Sequence, residues 1–364
     1  MTTRFIQVGV GVRGTHWARV IQDDPRATVA AYVDLRLDVA RQKATAWGQP
    51  DTPCYASLDE ALNSVACEAV LLVTPPEGHF EQTMLAFEHG RHVLCEKPLV
   101  EEMDEAIELV RQAENRGLQL MVGMNFRYLP ASQAIRRDIQ QQRYGKPGYG
   151  HFVYLRNRDG RRSDLNDYPL TMRQPMLIEQ SIHHLDLMRY CYDAEVESLT
   201  ADTWRPDWST YAHDCCVSVL LRFAGGLHVN YIGTWTSGWN RFHFQWRTDC
   251  PRGSIIQQAQ FGDLYSVELR PGLAIEGKLF KDGDDAEPLR PVRLETSQDF
   301  IDDTRGLLVE FVNTVESDRP LDTSGKDHLR TLSLVLACIE AAETNQWIEM
   351  ADFYRRQGIP PEWV

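Results

Sequence analysis

The chain has 364 residues, of which 43% are hydrophobic and 25% are charged, and its formal net charge is −14 at neutral pH. This length predicts about two domains, and the acidic charge argues against binding to nucleic acid or to an anionic membrane surface. No apolar run reaches the ~18 residues of a membrane span, so we expect a cytoplasmic protein with no nucleic-acid or membrane partner. The eight cysteines form no Cys-x-x-Cys pair, which favours reduced, buried thiols over a metal site.

Residues 1–124 alternate short apolar strands with amphipathic helices, and we predict that they form the first domain. The predicted strands cover residues 4–8, 27–34, 68–73, 92–95 and 118–122. Helices fill the intervals, and Ser57 and Glu60 give a capping-box signal for one of them. Apolar strands separated by helices are typical of a parallel sheet covered on both faces, which is a doubly wound Rossmann arrangement.

Residues 125–364 show a different pattern, and we predict that they form the second domain. From Tyr149 onward the strands lengthen, and in Arg241–Arg247 the aromatic and polar side chains fall on opposite faces. Two helices are predicted near the end, at about residues 303–316 and 327–343. The sequence therefore predicts an α/β fold in which a Rossmann domain precedes an α/β domain with a large, open, mostly antiparallel sheet.

A glycine-rich turn joins the first predicted strand to the first helix, and its sequence from Gly9 to Gly14 fits the pattern G-x-G-x-x-G. Glycines let the backbone approach a pyrophosphate closely, and the helix N-terminus supplies free N–H groups. Asp34 ends the second strand, where a carboxylate accepts hydrogen bonds from ribose hydroxyls and repels a 2′-phosphate, so NAD is favoured. Arg36 keeps NADP possible, and a glycine turn without a ligand is the alternative. The predicted cofactor contacts in this region are Gly9, Gly11, Val12, Arg13, Gly14, Asp34 and Arg36.

Lys97 lies in the turn Glu96–Lys97–Pro98, at the carboxyl end of a predicted parallel strand. Ligands bind at this edge of the sheet in doubly wound folds, and Pro98 biases Lys97 away from helical geometry. A lysine held there can donate a hydrogen bond to a substrate hydroxyl and stabilise negative charge on its oxygen. The alternative is a solvated surface lysine.

A second group of polar residues falls on a predicted helix that covers residues 174–190. Glu179 and His183 are four residues apart, so a regular α-helix places them on one face. The carboxylate would raise the basicity of the imidazole and orient it, so that His183 can accept the proton of a hydroxyl. Two alternatives stay open, an ion pair among core histidines and a metal site. We expect no metal, because nothing else in the chain has ligand spacing, and we expect His184 to be structural.

The order of the motifs resembles the Gfo/Idh/MocA family of nicotinamide-dependent oxidoreductases, and the resemblance covers nearly the whole chain. The motifs are the glycine turn, Thr74–Pro75–Pro76 followed by His79, Glu96–Lys97–Pro98, Gly123–Met124–Asn125–Phe126–Arg127, the series Glu179, His183 and Asp186, and the segments 251–255 and 320–325. The chain departs from the family at Glu179, where Asp is common, and at Ser181, where Gly is common.

This resemblance implies that Lys97 and His183 are the catalytic pair. It also implies that the sheet of the second domain packs on that of another subunit, in a homodimer or homotetramer. The cofactor contacts that it implies are Thr74, Pro75, Pro76, His79, Glu96, Lys97 and Asn125.

The main hypothesis is that the chain oxidises a secondary hydroxyl of a sugar, cyclitol or related polyol, with hydride passing to the nicotinamide. Lys97 would polarise the oxygen, His183 would remove the proton, and Glu179 would orient His183. The candidates for binding the substrate by stacking and hydrogen bonding are Arg127, Tyr128, Tyr154, Arg156, Trp235, Trp239 and Arg241. The alternatives are a glycoside-cleaving or eliminating enzyme that oxidises transiently and recycles NAD, and a non-catalytic NAD-binding regulator.

Overall fold

In this computed structural model, which describes residues 2–158, 167–269, 287–294, 302–317 and 319–364, the chain folds as two units. The first unit consists of Met1–Tyr128, Asp299–Ser333 and Tyr354–Val364, and the second of Leu129–Gln298 and Leu334–Phe353. Within the described ranges, no helix is both long and apolar enough to cross a membrane.

The first unit is built on a six-stranded sheet in which every pairing is parallel. Its strands are β1 (Thr3–Val8), β2 (Ala27–Val33), β3 (Cys54–Tyr55), β4 (Ala69–Leu72), β5 (His92–Cys95) and β6 (Leu120–Val122). Their order is β3-β2-β1-β4-β5-β6, so the chain runs outward from β1 in one direction and from β4 in the other. The predicted doubly wound sheet is thereby confirmed. Folds of this kind bind ligands at the switch point, beyond the carboxyl ends of β1 and β4.

Five helices connect the strands of this sheet. They are α1 (Val12–Asp23), α2 (Leu37–Ala46), α3 (Leu58–Ser64), α4 (His79–Glu88) and α5 (Met103–Arg116). The hydroxyl of Ser57 accepts the backbone N–H of Glu60 at 3.1 Å and so caps α3. Helix α5 ends at Gly117, whose φ of +64° lies in the left-handed region that favours glycine. Both helix ends therefore follow the local signals of the sequence.

The second unit is built on a nine-stranded sheet that is antiparallel except where β7 pairs with β10. Its strands are β7 (Tyr149–Leu155), β8 (Val196–Trp204), β9 (Cys216–Phe223), β10 (Leu227–Thr234), β11 (His243–Cys250), β12 (Gly253–Ala259), β13 (Gly262–Glu268), β14 (Arg290–Pro291) and β15 (Ile348–Glu349). Their order is β14-β13-β12-β11-β7-β10-β9-β8-β15. The predicted large and mostly antiparallel sheet is confirmed.

Two helices of the second unit, α6 (Pro130–Gln140) and α7 (Ile182–Tyr192), pack against each other. The sequence predicts one continuous helix over residues 174–190, but the structure shows a π-helical segment at Met176–Ser181 before α7 begins. The backbone N–H of Ile182 donates to the carbonyl oxygen of Leu177, five residues earlier. Hydrophobic periodicity does not separate the two helix types over so short a stretch, which is why the π segment was missed.

The C-terminal part of the chain contributes to both units. Its helices are α8 (Asp302–Ser317), α9 (Gly325–Thr344) and α10 (Met350–Arg356). Leu307 and Phe311 of α8 are fully buried in the same apolar cluster as Phe5 and Trp17, and the rings of Phe311 and Phe5 lie 5.8 Å apart. The prediction assigned all of residues 125–364 to the second domain. The structure differs because the apolar side of α8 completes the core of the first unit.

We predict that Phe311→Ala lowers the free energy of unfolding by about 3–5 kcal/mol, because it leaves a cavity in the core beneath α8. Val309→Ala is the control, since Val309 lies on the same helix with 38% of its surface exposed. Urea denaturation followed by circular dichroism measures both. Equal unfolding midpoints for the two variants would show that α8 does not complete this core.

Candidate active site

The glycine turn of the first unit contains two glycines that the fold itself requires and one that it does not. Gly9 has φ of +99°, and a Cβ there would lie 2.4 Å from the carbonyl oxygen of Val73. A Cβ at Gly14 would lie 2.3 Å from the carbonyl oxygen of Gly9. A Cβ at Gly11 would meet nothing within 4 Å. The space beside Gly11 is therefore open to a ligand that approaches the backbone closely.

Helix α1 begins directly after Gly11. Its first turn contains no acidic residue, and among the described residues no side chain caps it. The first N–H groups of the helix and the positive end of its dipole are thus available to an anion such as a pyrophosphate. Val12, the first residue of the helix, is exposed.

Asp34 follows β2, beside the glycine turn. One oxygen of its carboxylate accepts the backbone N–H of Val10 at 3.2 Å, and the other accepts the backbone N–H of Arg36 at 3.0 Å. The exposed guanidinium of Arg36 lies 3.8 Å from the same carboxylate. The carboxylate is therefore held at the position that contacts ribose hydroxyls in dinucleotide-binding folds.

Glu96 is buried at the end of β5 and is bound by two residues of α1. Its Oε1 accepts a hydrogen bond from Arg13 Nε at 2.6 Å and from Trp17 Nε1 at 2.7 Å. Burial alone raises the pKa of the Glu96 carboxyl, but the charge of Arg13 and the hydrogen bonds from Trp17 and Arg13 outweigh it, so that the pKa lies below its ordinary value. The carboxylate is thus charged at neutral pH. Its bonds to Arg13 and Trp17 attach α1 to the loop that contains Lys97.

Two residues of α8, Asp303 and Thr304, join this cluster, and sequence reasoning missed them. Asn125 Nδ2 donates to Asp303 Oδ2, and Arg13 Nη1 donates to Thr304 Oγ1 at 3.0 Å. Burial raises the pKa of Asp303 above its ordinary value. An acidic residue in the first turn of a predicted helix is ordinarily explained by the helix dipole. The sequence therefore held no signal that these residues reach the glycine turn.

Lys97 lies in the loop after β5, where it is half-buried, and its peptide bond to Pro98 is cis. His79 connects this loop to the one after β4. Its Nε2 lies 2.9 Å from the carbonyl oxygen of Thr74, and its Nδ1 lies 2.9 Å from that of Pro98. Burial lowers the pKa of His79. The buried imidazole therefore acts as a brace between two loops at the carboxyl edge of the sheet, and Pro76, which opens a 3-10 turn, lies in the first of them.

In the second unit, the π-helical segment is fixed to the sheet by buried hydrogen bonds. The hydroxyl of Tyr231 on β10 lies 2.8 Å from Ser181 Oγ and 2.9 Å from His184 Nδ1, and the hydroxyl of Tyr154 donates to Gln180 Oε1 at 3.1 Å. Burial lowers the pKa of His184 to about 3, so this imidazole is neutral in the folded protein. His184 is structural, as predicted, and Ser181 has a packing role of its own.

Glu179 and His183 lie on either side of the junction between the π segment and α7. Glu179 is half-buried and His183 is 7% exposed. The prediction that these two residues share one face assumes the spacing of a regular α-helix. The backbone between them instead changes from π-helical to α-helical geometry. The neighbouring Asp186 is buried beside Arg189, with Oδ1 and Nη1 3.7 Å apart.

Three of the seven candidate substrate residues are buried within their own units, and a fourth, Tyr128, is partly buried. The guanidinium of Arg127 bonds Asp327 and the carbonyl oxygen of Asp322, and the hydroxyl of Tyr128 donates to Glu310. Tyr154 and Trp235 are buried in the second unit. The other three, at the end of the second sheet where β7 and β10 finish, are the half-buried Arg156 and the exposed Trp239 and Arg241.

Two family models match this sequence. One, described as the Gfo/Idh/MocA oxidoreductase family with an NAD-binding Rossmann fold, matches residues 3–124. The other, described as the Gfo/Idh/MocA C-terminal domain, matches residues 132–268. The first match covers all six strands of the parallel sheet, and the second covers strands β7 to β13 of the other sheet.

Known proteins resemble the chain over different lengths. An uncharacterised protein of Sinorhizobium fredii, y4oX, is 25% identical over 99% of both chains. An inositol 2-dehydrogenase of Rhodococcus jostii is 29% identical over 54% of this chain and 51% of its own length, so that match spans about half of the relative. The structure of a levoglucosan dehydrogenase in complex with NADH and levoglucosan has a TM-score of 0.82, with 16% identity and coverage of 96% of this chain and 100% of that one. At this identity the structural likeness shows the fold.

We predict that Gly11→Val weakens the binding of NADH at least tenfold while the folded state keeps its stability, because a side chain fills open space that a dinucleotide would use. Gly9→Ala is the contrasting variant and destabilises the fold, because its Cβ meets a backbone oxygen. Fluorescence titration with NADH and thermal unfolding measure the two effects. Unchanged NADH affinity in Gly11→Val would contradict a binding role for this turn.

A second prediction concerns the pH dependence of stability. The pKa of His184 is about 3 in the folded protein against an ordinary value of 6.5, so between these values the unfolded chain binds more protons and stability falls as pH decreases. In His184→Gln the slope of the unfolding free energy against pH should become shallower in this window, by up to ~1.4 kcal/mol per pH unit. The exposed His228 provides the control His228→Gln. An identical slope in both variants would contradict the neutral, buried state of His184.

Proposed function

This chain belongs to the Gfo/Idh/MocA family of oxidoreductases, with an NAD-binding Rossmann fold, and we propose that it transfers a hydride between NAD and a secondary hydroxyl of a sugar, cyclitol or related polyol. The observation that carries the proposal is the braced loop that presents Lys97 at the carboxyl edge of the Rossmann sheet. An inositol dehydrogenase among the relatives supports the substrate class.

The residues of the first unit fit an NAD molecule, because Gly11 leaves open space and α1 presents free N–H groups. We assign the pyrophosphate to this helix N-terminus and the adenine ribose hydroxyls to Asp34. The charge of the Asp34 carboxylate disfavours a 2′-phosphate, so NAD is preferred over NADP. Arg36, exposed beside Asp34, leaves NADP as the weaker ligand. The bound nicotinamide supplies the hydride acceptor.

The proposed proton chemistry belongs to the chain's own side chains. The ammonium group of Lys97 donates to the substrate oxygen and stabilises the negative charge that develops there. The imidazole of His183 accepts the hydroxyl proton as the hydride leaves the same carbon. Glu179 is assigned to orienting His183, as a positioning residue.

We further propose that copies of this chain associate through the open face of the nine-stranded sheet and work in the cytoplasm. Tyr149 on β7 and Leu220 on β9 are exposed apolar residues in the middle of that sheet, which supports an interface there. The eight cysteines lie outside disulfide bonds and six of them are buried, which supports a reducing compartment.

We predict that Lys97→Met lowers kcat at least 100-fold, because a preorganised donor to a developing oxyanion contributes about 3–4 kcal/mol, and leaves the affinity for NADH within a few-fold. Lys326→Met is the matched control, since this half-exposed lysine pairs with Glu114 elsewhere in the first unit. The measurement is the initial rate of NADH formation across a panel of sugars, inositols and anhydrosugars.

Three results would contradict the proposal. Unchanged turnover in a folded Lys97→Met variant would remove Lys97 from the reaction. A product formed by the unaltered chain without net NADH would replace the dehydrogenase with transient oxidation and recycled NAD. Tight NAD binding without turnover on any member of the panel would favour a regulator.

A further inference from the structure

One end of the nine-stranded sheet collects three arginines and three exposed aromatic side chains. Strand β7 ends at Leu155, which pairs with Thr234, the last residue of β10, and with His243, the first residue of β11. The chain segments that leave these three strands therefore lie side by side. We define the arginine–aromatic end as Arg156, Arg158, Arg241, Trp208, Trp239 and Phe242.

Backbone hydrogen bonds hold these segments together. The N–H of Arg156 donates to the carbonyl oxygen of Thr234 at 3.0 Å, and the N–H of Arg158 donates to that of Trp235 at 2.8 Å. The indole of Trp208 donates to the carbonyl oxygen of Thr236 at 3.0 Å. Arg156, Arg158 and the indole of Trp208 are thus held against the segment that follows β10.

The three guanidinium groups contact aromatic rings and hydroxyls. Arg158 lies 4.5 Å from the ring centroid of Trp235, and its Nη1 donates to the hydroxyl of Tyr211 at 3.0 Å. Arg241 lies 5.5 Å from the ring of Trp239, and Nη1 of Arg156 lies 3.5 Å from the hydroxyl of Tyr154.

Within the described ranges, no carboxylate forms an ion pair with any of these three arginines, although the chain carries 52 Asp and Glu against 38 Lys and Arg. Elsewhere in the structure arginines sit against acids, as Arg127 does against Asp327 and Arg189 against Glu195. Among the described residues, three arginines without an acidic partner are therefore grouped at one end of the second sheet, and their remaining donors suit a ligand that carries a negative group.

The aromatic side chains supply a flat apolar surface beside this charge. Trp208 is 71% exposed, Trp239 is 60% exposed and Phe242 is 40% exposed. Clustered exposed aromatics of this kind mark a binding surface, and their rings suit stacking on a sugar ring while nearby donors bind its polar groups.

The arginine–aromatic end also reaches the helix that carries Glu179 and His183. The ring of Phe242 lies 5.0 Å from that of Tyr154, whose hydroxyl donates to Gln180, the residue after Glu179. A molecule bound at this end therefore lies near the helical segment to which Glu179 belongs.

We propose that the substrate is an acidic sugar or cyclitol derivative, whose carboxylate or phosphate is bound by Arg156, Arg158 and Arg241 while its ring stacks on the exposed aromatics. This inference rests on the proposed dehydrogenase function and narrows its substrate class. A planar guanidinium binds either anionic group through two parallel hydrogen bonds, so the experiment separates the two.

The first experiment compares matched neutral and acidic substrates. Initial rates of NAD reduction are measured with D-glucose, D-glucuronate and D-glucose 6-phosphate, and with myo-inositol and its monophosphate. We expect kcat/KM to be at least tenfold higher for an acidic member than for its neutral partner, with KM for the acidic member rising with ionic strength. A preference for glucuronate assigns the site to a carboxylate, and a preference for the phosphorylated members assigns it to a phosphate.

The second experiment removes the charge. Arg156→Gln and Arg241→Gln should each lower the ratio of acidic to neutral kcat/KM at least tenfold, mainly through KM. Arg247→Gln is the control, because it removes the same charge from β11, six residues after Arg241, at a residue already paired with Asp249. The control should keep the ratio of the unaltered chain.

The outcomes separate the two proposals. If neutral substrates are oxidised as well as acidic ones and the arginine variants keep the ratio, the inference is overturned and the dehydrogenase stands. If no sugar reduces NAD, the dehydrogenase fails, and calorimetric binding of glucuronate and of glucose 6-phosphate decides the inference alone. Binding of either that Arg156→Gln abolishes and Arg247→Gln retains supports it, whereas absence of binding, or equal binding by both variants, overturns it.

Discussion

The buried carboxylate of Glu96 is the constraint on which the arrangement of the first unit depends. A charged group in the interior is stable only when it is paired, and removing one partner of such a pair costs about 3–5 kcal/mol. The partners here, Arg13 and Trp17, both lie on α1. The helix proposed to bind the pyrophosphate and the loop that carries Lys97 are therefore held by one ion pair, and Thr304 bonds the same Arg13 from α8.

In the second unit, the buried polar groups that need hydrogen-bond partners are neutral. His184, Tyr231 and Ser181 satisfy one another's hydrogen bonds inside the aromatic core, and burial keeps the imidazole uncharged. This explains why a serine stands where the family often has glycine: its hydroxyl holds the π-helical segment against β10. Ser181, where the chain departs from the family, thus helps to position the π-helical segment. Glu179, the other departure, is one of the residues proposed to take part in the chemistry.

The sequence was informative where a single local cause decides the structure. The alternation of strands with helices predicted the first sheet, and the alternation of apolar and polar side chains predicted the second. The glycines from Gly9 to Gly14 predicted the turn, because the backbone conformation at Gly9 favours glycine. Three features depended on distant contacts instead. The π segment is set by bonds to β7 and β10, the placement of α8 by the core around Phe5, and the role of Asp303 by Asn125, and no spacing in the chain encodes such contacts. The assignment of Arg127 and Tyr128 to substrate binding also overlooked distant contacts, since Arg127 bonds Asp327 and Tyr128 bonds Glu310.

Net charge and local charge carry different information in this chain. An excess of acids over bases governs long-range repulsion of polyanions, yet a small anionic substrate responds to groups within about one Debye length, roughly 8–10 Å. The arginine–aromatic end supplies such groups, and among the residues that the structure describes Arg158 and Arg241 have aromatic partners and no acidic one. An aromatic partner leaves the positive charge of a guanidinium uncompensated, whereas a carboxylate partner neutralises it. The choice of partner, more than the number of arginines, is what distinguishes a surface that can bind an acidic sugar from one that is merely held together by ion pairs.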